Sequence, residues 1–310
     1  MTPTAAAAGL LADGVIGEPP ASIHPVAGFG RLMAALEPHL YRDDRVSGVV
    51  FVVAGVGVAA AAGFGVQTVL GPALGTFVAA EVAVAGRMLA RTADDIRATL
   101  EWGDVDEARW LLPALVGRDP SGLPVEEISR AVIESVAENT VDAAVAPALW
   151  AGVLGAPGAL THRAVNTLDA MVGHRSRRYE RFGWASARLD DALAWLPARV
   201  TAAAVAAVRP ARAGAVWAAV RSDAPDHPSP NAGVAEAAFA AALGVRLGGT
   251  NRYAHRVEHR PVAHPRGRAP RPDDIAGAIR LARDVRIAVA GALVLLGGAS
   301  AFTRRRSHRR

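Results

Sequence analysis

The sequence predicts an all-α fold, a multi-pass membrane protein whose polar helices and loops carry the functional residues. Of its 310 residues, 51% are hydrophobic, and the mean hydropathy of +0.21 is high for a soluble protein. Much of this apolar content is alanine, which favours helices. No segment shows the apolar and polar alternation that is typical of a β-strand. No charged residue occurs from Val46 to Ala80, which is long enough for nearly two membrane helices of ~20 residues each.

Residues 4–16 form a short apolar helix candidate that is too short to span a membrane. The prolines that follow end any helix there, because proline fixes the backbone and removes a hydrogen-bond donor. Gly71 and Pro72 then divide the long charge-free run into two arms. We expect a helical hairpin in the membrane, with spans at about 46–66 and 70–90. A soluble core is the alternative, which the length of the run disfavours.

Residues 87–130 are polar and have helical character. Asp94 with Arg97, and Asp106 with Arg109, have the spacing of ordinary ion pairs on an exposed helix. The prolines and glycine of GRDPSGLP, at 117–124, predict a loop. We assign no chemistry to this region from its residues alone.

Three later stretches are further membrane candidates. Residues 143–162 carry no charge, although Pro147 and Pro157 suit a broken or re-entrant helix equally well. Arginines interrupt the stretch near 200–220, so whether it spans stays open. Residues 287–303 read as a closing anchor, whose terminal arginines prefer the cytoplasmic face. The prediction is one membrane domain over 1–310, located in the cell membrane.

The composition excludes several classes of chemistry. The 34 basic residues are all arginine, so a Walker A loop and a lysine Schiff base are both impossible. ATP, if used, would be held by arginines, backbone amides and Mg²⁺. The absence of cysteine excludes disulfides and thiolate nucleophiles. Although the net charge is +5, the arginines lie beside apolar runs without interleaved aromatics, so we predict no nucleic-acid partner.

A polar stretch from Glu134 to Asp191 is the main candidate site. Glu134, Glu138 and Asp142 are spaced by four and would form one stripe on a helix, with Arg130 one turn earlier. Like charges repel, so the stripe needs a counter-charge: an arginine-rich segment, Mg²⁺ or a cationic substrate. A solvated helix face is the alternative, and the apolar continuation disfavours it.

The second half of this stretch supplies groups that suit an anionic ligand. Arg163, Arg178 and Arg188 lie among several arginines, whose planar forks bind carboxylate and phosphate. A basic loop flanking a membrane is the alternative for residues 175–181. Asn166 and Asp169 are three residues apart and would lie on adjacent helical faces.

Two segments nearer the carboxyl terminus complete the pattern. The turn HPSP precedes a helix that Asn231 could cap, and Glu236 lies one turn inside it. The glycines of GVRLGGTNRY could bring backbone amides close to a ligand. His255 and His259 have metal-ligand spacing on a helix, but nearby prolines favour a loop over 255–272.

Several motifs resemble those of the CobD/CbiB family of cobalamin biosynthesis proteins. They are LADGVIGEPP, HPVAGFGR, ESVAENTVDAAVAP, AVNTLDAMVGH, RYERFGWASARLDD and HPSPNAGVAEAAFAAALGVRLGG, in order over about residues 9–250. The resemblance implies an integral membrane adenosylcobinamide-phosphate synthase. Such an enzyme uses ATP and Mg²⁺ to join aminopropanol, or its O-phosphate, to a propionate of adenosylcobyric acid. Its partners would be this corrinoid, membrane lipid and other late cobalamin-pathway enzymes.

These observations define the predicted site. The catalytic candidates are carboxylates, with Asp169 or Asp190 as general base and three acids as Mg²⁺ or ammonium contacts. The remaining candidates would bind substrate, and His24 enters only by the resemblance. The catalytic candidates are Glu134, Glu138, Asp142, Asp169 and Asp190, of which Glu134, Glu138 and Asp142 would hold Mg²⁺; the substrate contacts are His24, Asn139, Arg163, Asn166, Arg178, Arg188, Asn231 and Glu236.

Two rival functions remain open at this point. Acids at membrane edges and helices broken by glycine and proline also occur in small-molecule transporters. A noncatalytic membrane scaffold for a biosynthetic complex is the third possibility. Chemical turnover without sealed vesicles would favour the enzyme, flux without chemistry the transporter, and binding without turnover the scaffold.

Overall fold

A computed structural model describes residues 2–18, 22–174, 176–253 and 256–307. It is mostly helical, which confirms the main part of the predicted fold class. The helices are α1 (Thr2–Ile16), α2 (Pro25–Leu40), α3 (Arg45–Ala83), α4 (Gly86–Glu101), α5 (Val105–Leu111), α6 (Val125–Thr140), α7 (Ala146–Leu154), α8 (Ala156–Leu168), α9 (Trp184–Val208), α10 (Ala213–Ser222), α11 (Ala232–Leu243) and α12 (Pro272–Ser307).

The expectation of no strands was wrong at one place. Strands β1 (Leu247–Tyr253) and β2 (Arg256–Ala263) pair in an antiparallel hairpin, with a bulge between Leu247 and Gly249. Part of the segment 255–272 that we predicted to be a loop is therefore a strand, while His255 itself lies outside the described residues. Arginines, histidine and proline give β2 no clear alternation of apolar residues, so the sequence carried little signal for it.

The chain forms two compact units. Unit 1 consists of Met1–Ala85, Asp142–Ala194 and Val289–Arg310, and unit 2 consists of Gly86–Val141 and Trp195–Ala288. Each unit is therefore built from segments that are distant in sequence. The prediction of a single domain over 1–310 stays a prediction.

In unit 1, helix α3 packs mainly against α8, and α1 packs against α3 and α7. Close packing depends on small residues, since a side chain at Gly63 would meet the backbone of Pro157. A cluster of buried apolar residues joins α2, α3 and α8 to the segment that precedes α9. Its buried members are Met33, Phe51, Leu168, Val172 and Phe182.

The predicted break in the long apolar run is confirmed. Helix α3 kinks sharply at Gly71, whose φ is 77°, and Pro72 follows. Beyond the kink the chain doubles back, because a Cβ at Gly75 would lie 2.9 Å from the Cα of Gln67. The second arm ends at Ala83 rather than near residue 90, which is short of the ~20 residues that a spanning helix needs.

Within the described residues, two helical stretches are long and apolar enough to cross a membrane: Arg45–Glu101 and Trp184–Val208. The stretch 143–162 is not one continuous helix, because the chain breaks at Gly155 between the short helices α7 and α8, which agrees with the alternative of a broken helix. The candidate at 200–220 is likewise interrupted, by a 3₁₀ turn at Pro210–Arg212. Residues 287–303 lie within the long helix α12. A multi-pass topology stays a prediction.

Unit 2 is built around α6 and α11, which pack against each other. Helix α4 packs on α6, and the hairpin contacts both α6 and α11. The predicted ion pairs of this region are confirmed, at 2.7 Å between Arg97 Nε and Asp94 Oδ1 and 2.6 Å between Arg109 Nη1 and Asp106 Oδ1. The core of unit 2 therefore places α6 and α11, with their acidic residues, beside the hairpin.

Candidate functional site

Glu134 lies on α6 in the interior of unit 2, with only 3% of its surface exposed. Its Oε2 accepts a hydrogen bond of 2.5 Å from Arg118 Nη2. Its Oε1 accepts one of 2.9 Å from Arg130 Nη1 and one of 2.7 Å from the backbone N–H of Gly248. The sequence predicted that this acid needs a counter-charge. In the structure two buried guanidinium groups supply it, and a backbone amide adds a third hydrogen bond.

These contacts fix the ionised form of the carboxyl. Burial alone would raise the pKa of Glu134, but the positive charges of Arg118 and Arg130 and the Gly248 amide hold it below its ordinary value. Arg130 also donates to the carbonyl of Thr250 at 3.0 Å and to Asn251 Oδ1 at 3.1 Å. Helix α6 is thereby tied to strand β1.

The predicted acidic stripe continues only in part. Glu134 and Glu138 lie one turn apart on α6, but that helix ends at Thr140 and a π-helical turn follows at Val141–Val145. The wider turn changes the angular spacing. Asp142 therefore lies beyond the end of α6 and belongs to unit 1, and its place in the acidic stripe stays a prediction.

Glu138 differs from Glu134 in its surroundings. It keeps access to solvent, yet partial removal of water by the surrounding protein raises its pKa, while Arg260 and Arg118 act in the opposite direction. Its neighbour Asn139 donates from Nδ2 to the carbonyl of Ser135 at 2.9 Å. Glu138 is thus accessible where Glu134, one turn earlier, is buried, and Asn139 is engaged with its own helix.

Glu236 lies on α11 and is 2% exposed. Its Oε1 is 3.7 Å from His227 Nε2 and 3.8 Å from Arg260 Nη1. Burial raises the pKa of Glu236 well above its ordinary value, and the nearby charges of Glu134 and Glu138 add to that effect. The structure therefore brings the predicted residue Glu236 into the same electrostatic group as Glu134 and Glu138.

Asn231 precedes α11 but does not cap it through its side chain. Ser229 Oγ instead accepts a hydrogen bond of 3.2 Å from the N–H of Ala232. The Asn231 Oδ1 accepts one of 2.9 Å from Arg199 Nη1. The capping alternative for Asn231 was therefore wrong, and the residue is a buried hydrogen-bond partner of an arginine.

In unit 1 the structure brings together three of the predicted residues. Arg163 Nη1 lies 3.5 Å from Asn166 Oδ1, and Asn166 Nδ2 lies 3.5 Å from Asp190 Oδ1. The Arg163 side chain also lines a pocket of about 260 Å³ whose other walls are apolar side chains of α2, α3 and α8. A cation at the wall of an apolar pocket suits an amphipathic anion.

Electrostatic neighbours extend this group. Burial lowers the pKa of Arg163, and the charges of Glu18 and Asp142 act in the opposite direction. Burial and the Arg163 charge lower the pKa of His24. His24 also caps α2, because its Nδ1 accepts a hydrogen bond of 3.2 Å from the N–H of Val26. His24 therefore lies at the beginning of α2 and close to the charge of Arg163.

The other predicted residues of unit 1 lie in different surroundings. Arg178 donates to Glu37 Oε1 at 3.0 Å and stacks 4.0 Å from the centre of the Tyr41 ring. Arg188 is exposed on α9. Asp169 begins a π-helical turn, Asp169–Gly173, at the end of α8. Glu37 would therefore compete with an anionic ligand for Arg178.

The Mg²⁺ prediction gains no support from this geometry. Both oxygens of Glu134 are held by hydrogen-bond donors. Among the described residues, no group of three or more histidine, aspartate or glutamate side chains is placed to hold a metal ion. A metal contact at Glu134, Glu138 and Asp142 therefore stays a prediction, and no step is derived through it.

Sequence reasoning missed three partners of the acids in unit 2. Arg118 lies in the loop before α6, His227 in the turn before α11 and Arg260 on β2. Each is distant in sequence from the acid that it faces, so helical spacing carried no signal.

Comparisons with known proteins agree with this arrangement of motifs. Residues 6–282 match the family model described as CobD/Cbib protein. The chain is 50% identical over 293 residues to the cobalamin biosynthesis protein CobD of Mycobacterium tuberculosis, covering 93% of this chain and 92% of that protein. It is 41% identical to the proteins of the same name from Geobacter metallireducens, covering 83% of each chain, and Rhodobacter capsulatus, covering 88% of each. No solved structure matches significantly. The chain therefore belongs to the CobD/CbiB protein family.

Proposed function

We propose that this protein acts in cobalamin biosynthesis as an adenosylcobinamide-phosphate synthase. It joins aminopropanol, or its O-phosphate, to a propionate carboxylate of adenosylcobyric acid through an amide bond, with ATP as the energy source. Family membership and the names of the relatives, all cobalamin biosynthesis proteins, support the pathway. The specific reaction is what the motif resemblance implies.

Amide formation makes three demands on a protein. The carboxylate must be activated, which ATP would do by supplying a phosphoryl group. Negative charge on the phosphates must be neutralised, which arginine forks can do without a Walker A loop. The amine must lose a proton before it attacks. A suitable site therefore contains both cations and a carboxyl group that can take a proton.

One observation carries the proposal: the acids of unit 2 have unequal protonation behaviour within a single charged group. Glu134 is fixed as a carboxylate by Arg118 and Arg130, whereas Glu138 and Glu236 both have raised pKa values. Neighbouring carboxyls with opposite pKa shifts are typical of sites that perform acid and base chemistry. A purely structural ion-pair network would not need carboxyl groups with raised pKa values.

A membrane location completes the proposal. Only 28% of the most apolar segment within Arg45–Glu101 is buried, whereas the core helix of a soluble protein would be mostly buried. On α3, Val53 is 63% exposed and Val69 is 82% exposed. These surfaces suit lipid. The chain has no cysteine, so single cysteines at Ser121, Ser176 and Ser222 can be labelled from either face of sealed vesicles to establish the number and direction of crossings.

The reaction is tested with the full-length protein in lipid nanodiscs. Adenosylcobyric acid, ATP, Mg²⁺ and aminopropanol or its phosphate are supplied, and the amide product is measured by mass spectrometry. We expect turnover by the wild type and a loss of about 10²-fold or more in Glu138→Gln. Glu126→Gln, which removes a surface partner of Arg246 in the same unit, is the matched control and should retain activity.

The same preparation separates the rival functions. If no amine gives a product and substrate crosses the membrane of sealed vesicles, the protein is a transporter and not this enzyme. Corrinoid binding without product or flux would indicate a scaffold. Wild-type turnover in Glu138→Gln would show that Glu138 has no role in the reaction, and would not contradict the proposed activity.

A further inference from the structure

Glu236 is the only charged residue of helix α11. Every residue from Ala232 to Ala241 on this helix is buried, and most are alanine. Burying an ionisable group among apolar residues is costly unless it is paired. A glutamate retained at this position therefore requires a reason beyond packing.

The nearest polar atoms lie close to Glu236 but beyond hydrogen-bond distance. His227 Nε2 lies 3.7 Å from Glu236 Oε1, and both atoms are buried without a hydrogen-bond partner. Arg260 Nη1 lies 3.8 Å from the same oxygen. These separations exceed hydrogen-bond lengths. Glu236 Oε1 therefore lies among polar groups without accepting a hydrogen bond from any of them. Glu134, with three donors on its two oxygens, is the opposite case.

His227 is held from its other side. Its Nδ1 lies 3.0 Å from the N–H of Ser229 and 3.1 Å from the Ser229 carbonyl oxygen, so the backbone of the turn fixes the ring with Nε2 directed at Glu236. The histidine side chain is 7% exposed. A ring nitrogen anchored by the backbone and a second one facing a carboxyl is the arrangement of a positioned proton carrier.

The charges that act on Glu236 come from three parts of unit 2. Helix α6 contributes Glu134 and Glu138, strand β2 contributes Arg260, and the loop before α6 contributes Arg118. Burial and the two acids raise the pKa of Glu236, and the two arginines lower it.

Burial also lowers the pKa of His227. The pKa of the carboxyl is therefore raised while that of the imidazole is lowered, and both shifts oppose the difference that these groups have as free side chains.

We propose that Glu236 accepts the proton that the substrate ammonium must lose before it can attack, and that His227 positions Glu236 and exchanges that proton with it. This inference rests on the proposed function and assigns the amine end of the reaction to unit 2. The predicted base was Asp169 or Asp190; Glu236 replaces them as the choice that the geometry favours. His227 is a positioning residue that helical spacing could not have revealed.

The step balances as follows. R–NH₃⁺ gives one proton to the Glu236 carboxylate, which yields R–NH₂ and the carboxylic acid. The amine lone pair forms the N–C bond with the phosphate-activated propionate, and the C–O bond to phosphate breaks. Phosphate leaves with that electron pair and takes the second amine proton. The next ammonium favours the carboxylate form of Glu236, so as it binds, the proton on Glu236 passes through His227 to solvent and both side chains return to their starting forms.

Two measurements on the full-length protein in nanodiscs test the proposal. The first is the pH dependence of kcat/KM for Glu236→Gln and His227→Asn, with Glu126→Gln and the exposed His39→Asn as controls. We expect Glu236→Gln to lose about 10²- to 10⁴-fold in kcat/KM and to lack the acidic limb of the wild-type profile. His227→Asn, which keeps a polar group at the turn, should lower kcat more than it changes KM and should displace the midpoint of that limb. A structural role for His227 would leave the midpoint in place.

The second measurement is calorimetric titration of aminopropanol without ATP, in two buffers of different ionisation enthalpy. An ammonium beside Glu236 favours its carboxylate form, so the wild type should release a proton on binding, and Glu236→Gln should release none. Glu236→Asp keeps the charge and provides a second variant if Glu236→Gln does not fold.

The outcomes separate the two proposals. Amide formation by the wild type, with an unchanged pH profile and proton release in Glu236→Gln, overturns this inference and leaves the proposed function standing. No amide formation under any condition defeats the proposed function. Loss of proton release in Glu236→Gln alone would then still identify an amine site.

Discussion

Arg118 Nη2 and Glu134 Oε2 form a 2.5 Å hydrogen-bonded ion pair, and both side chains are almost completely buried. The Glu134→Gln substitution would remove the carboxylate that faces the buried guanidinium of Arg118, and would leave Arg130 with Glu127 as its remaining ionic partner. We expect this change to lower the free energy of unfolding by about 3–5 kcal/mol, measured by denaturant unfolding. Glu126→Gln breaks an exposed pair and should cost less than about 1 kcal/mol. Equal effects of the two substitutions would contradict the structural role of the buried pair.

The pH dependence of stability should separate Glu236 from Glu134. The pKa of Glu236 is raised in the folded state, so its contribution is fully present below the unfolded value near 4.5 and is lost as pH rises through the folded value. Glu236→Gln should therefore flatten the decline of thermal stability on the alkaline side of pH 4.5. The pKa of Glu134 is lowered, so its contribution is lost as pH falls below about 4.5, and Glu134→Gln should remove that acid-side decline. Parallel curves for the wild type and both variants would refute this assignment.

The bulge of the hairpin should depend on glycine at position 248 more than at position 249. Both residues have positive φ values, 89° and 99°, so alanine at either carries a similar backbone cost of about 1–2 kcal/mol. A Cβ at Gly248 would also lie 2.1 Å from the carbonyl oxygen of Pro261, whereas a Cβ at Gly249 would meet nothing within 4 Å. We expect Gly248→Ala to be the more destabilising by about 1–3 kcal/mol, with faster hydrogen exchange in β1. Similar unfolding free energies for the two variants would argue against this register.

The contact between α3 and α8 should depend on Gly63. A Cβ there would lie 2.5 Å from Pro157 Cα, so Gly63→Ala should force the helices apart at a cost of about 1–3 kcal/mol. Gly65, two residues along the same helix, faces open space, and Gly65→Ala should change stability by no more than about 1 kcal/mol. Thermal unfolding in nanodiscs compares the two variants. A larger effect at Gly65 would contradict the packing.

Local patterns predicted the features that depend on neighbouring residues. The pairing of Arg130 with Glu134 follows from their spacing on one helix, and the kink at Gly71 follows from the glycine and proline that interrupt an apolar run. The hairpin was missed, because its second strand has the composition of a loop. Arg118 and Arg260 were also missed as partners of the acids, since tertiary folding alone brings them to α6 and α11.

The apolar segments show a second limit of prediction from sequence: composition does not fix where a helix ends. The absence of charge in 143–162 identified an apolar stretch, but composition could not decide between one spanning helix and two short ones that turn at Gly155. Conversely, the helix α9 continues through the charged residues Asp190 and Asp191. Charge-free length indicates which residues avoid water, whereas helix ends depend on single residues with particular backbone angles.

The order of segments in the two units constrains how the chain can fold during synthesis. Unit 2 lacks its last segment until residue 288 has been made, and unit 1 lacks its last segment until the chain has passed residue 289. Helices made early, including α1 and α3, must therefore wait for sequence more than 200 residues away before their unit is complete. A ribosome that stalls midway would release neither unit intact. A single cut before Gly86 or after Ala288 leaves every segment of unit 2 on one fragment, whereas no single cut within the chain leaves unit 1 whole.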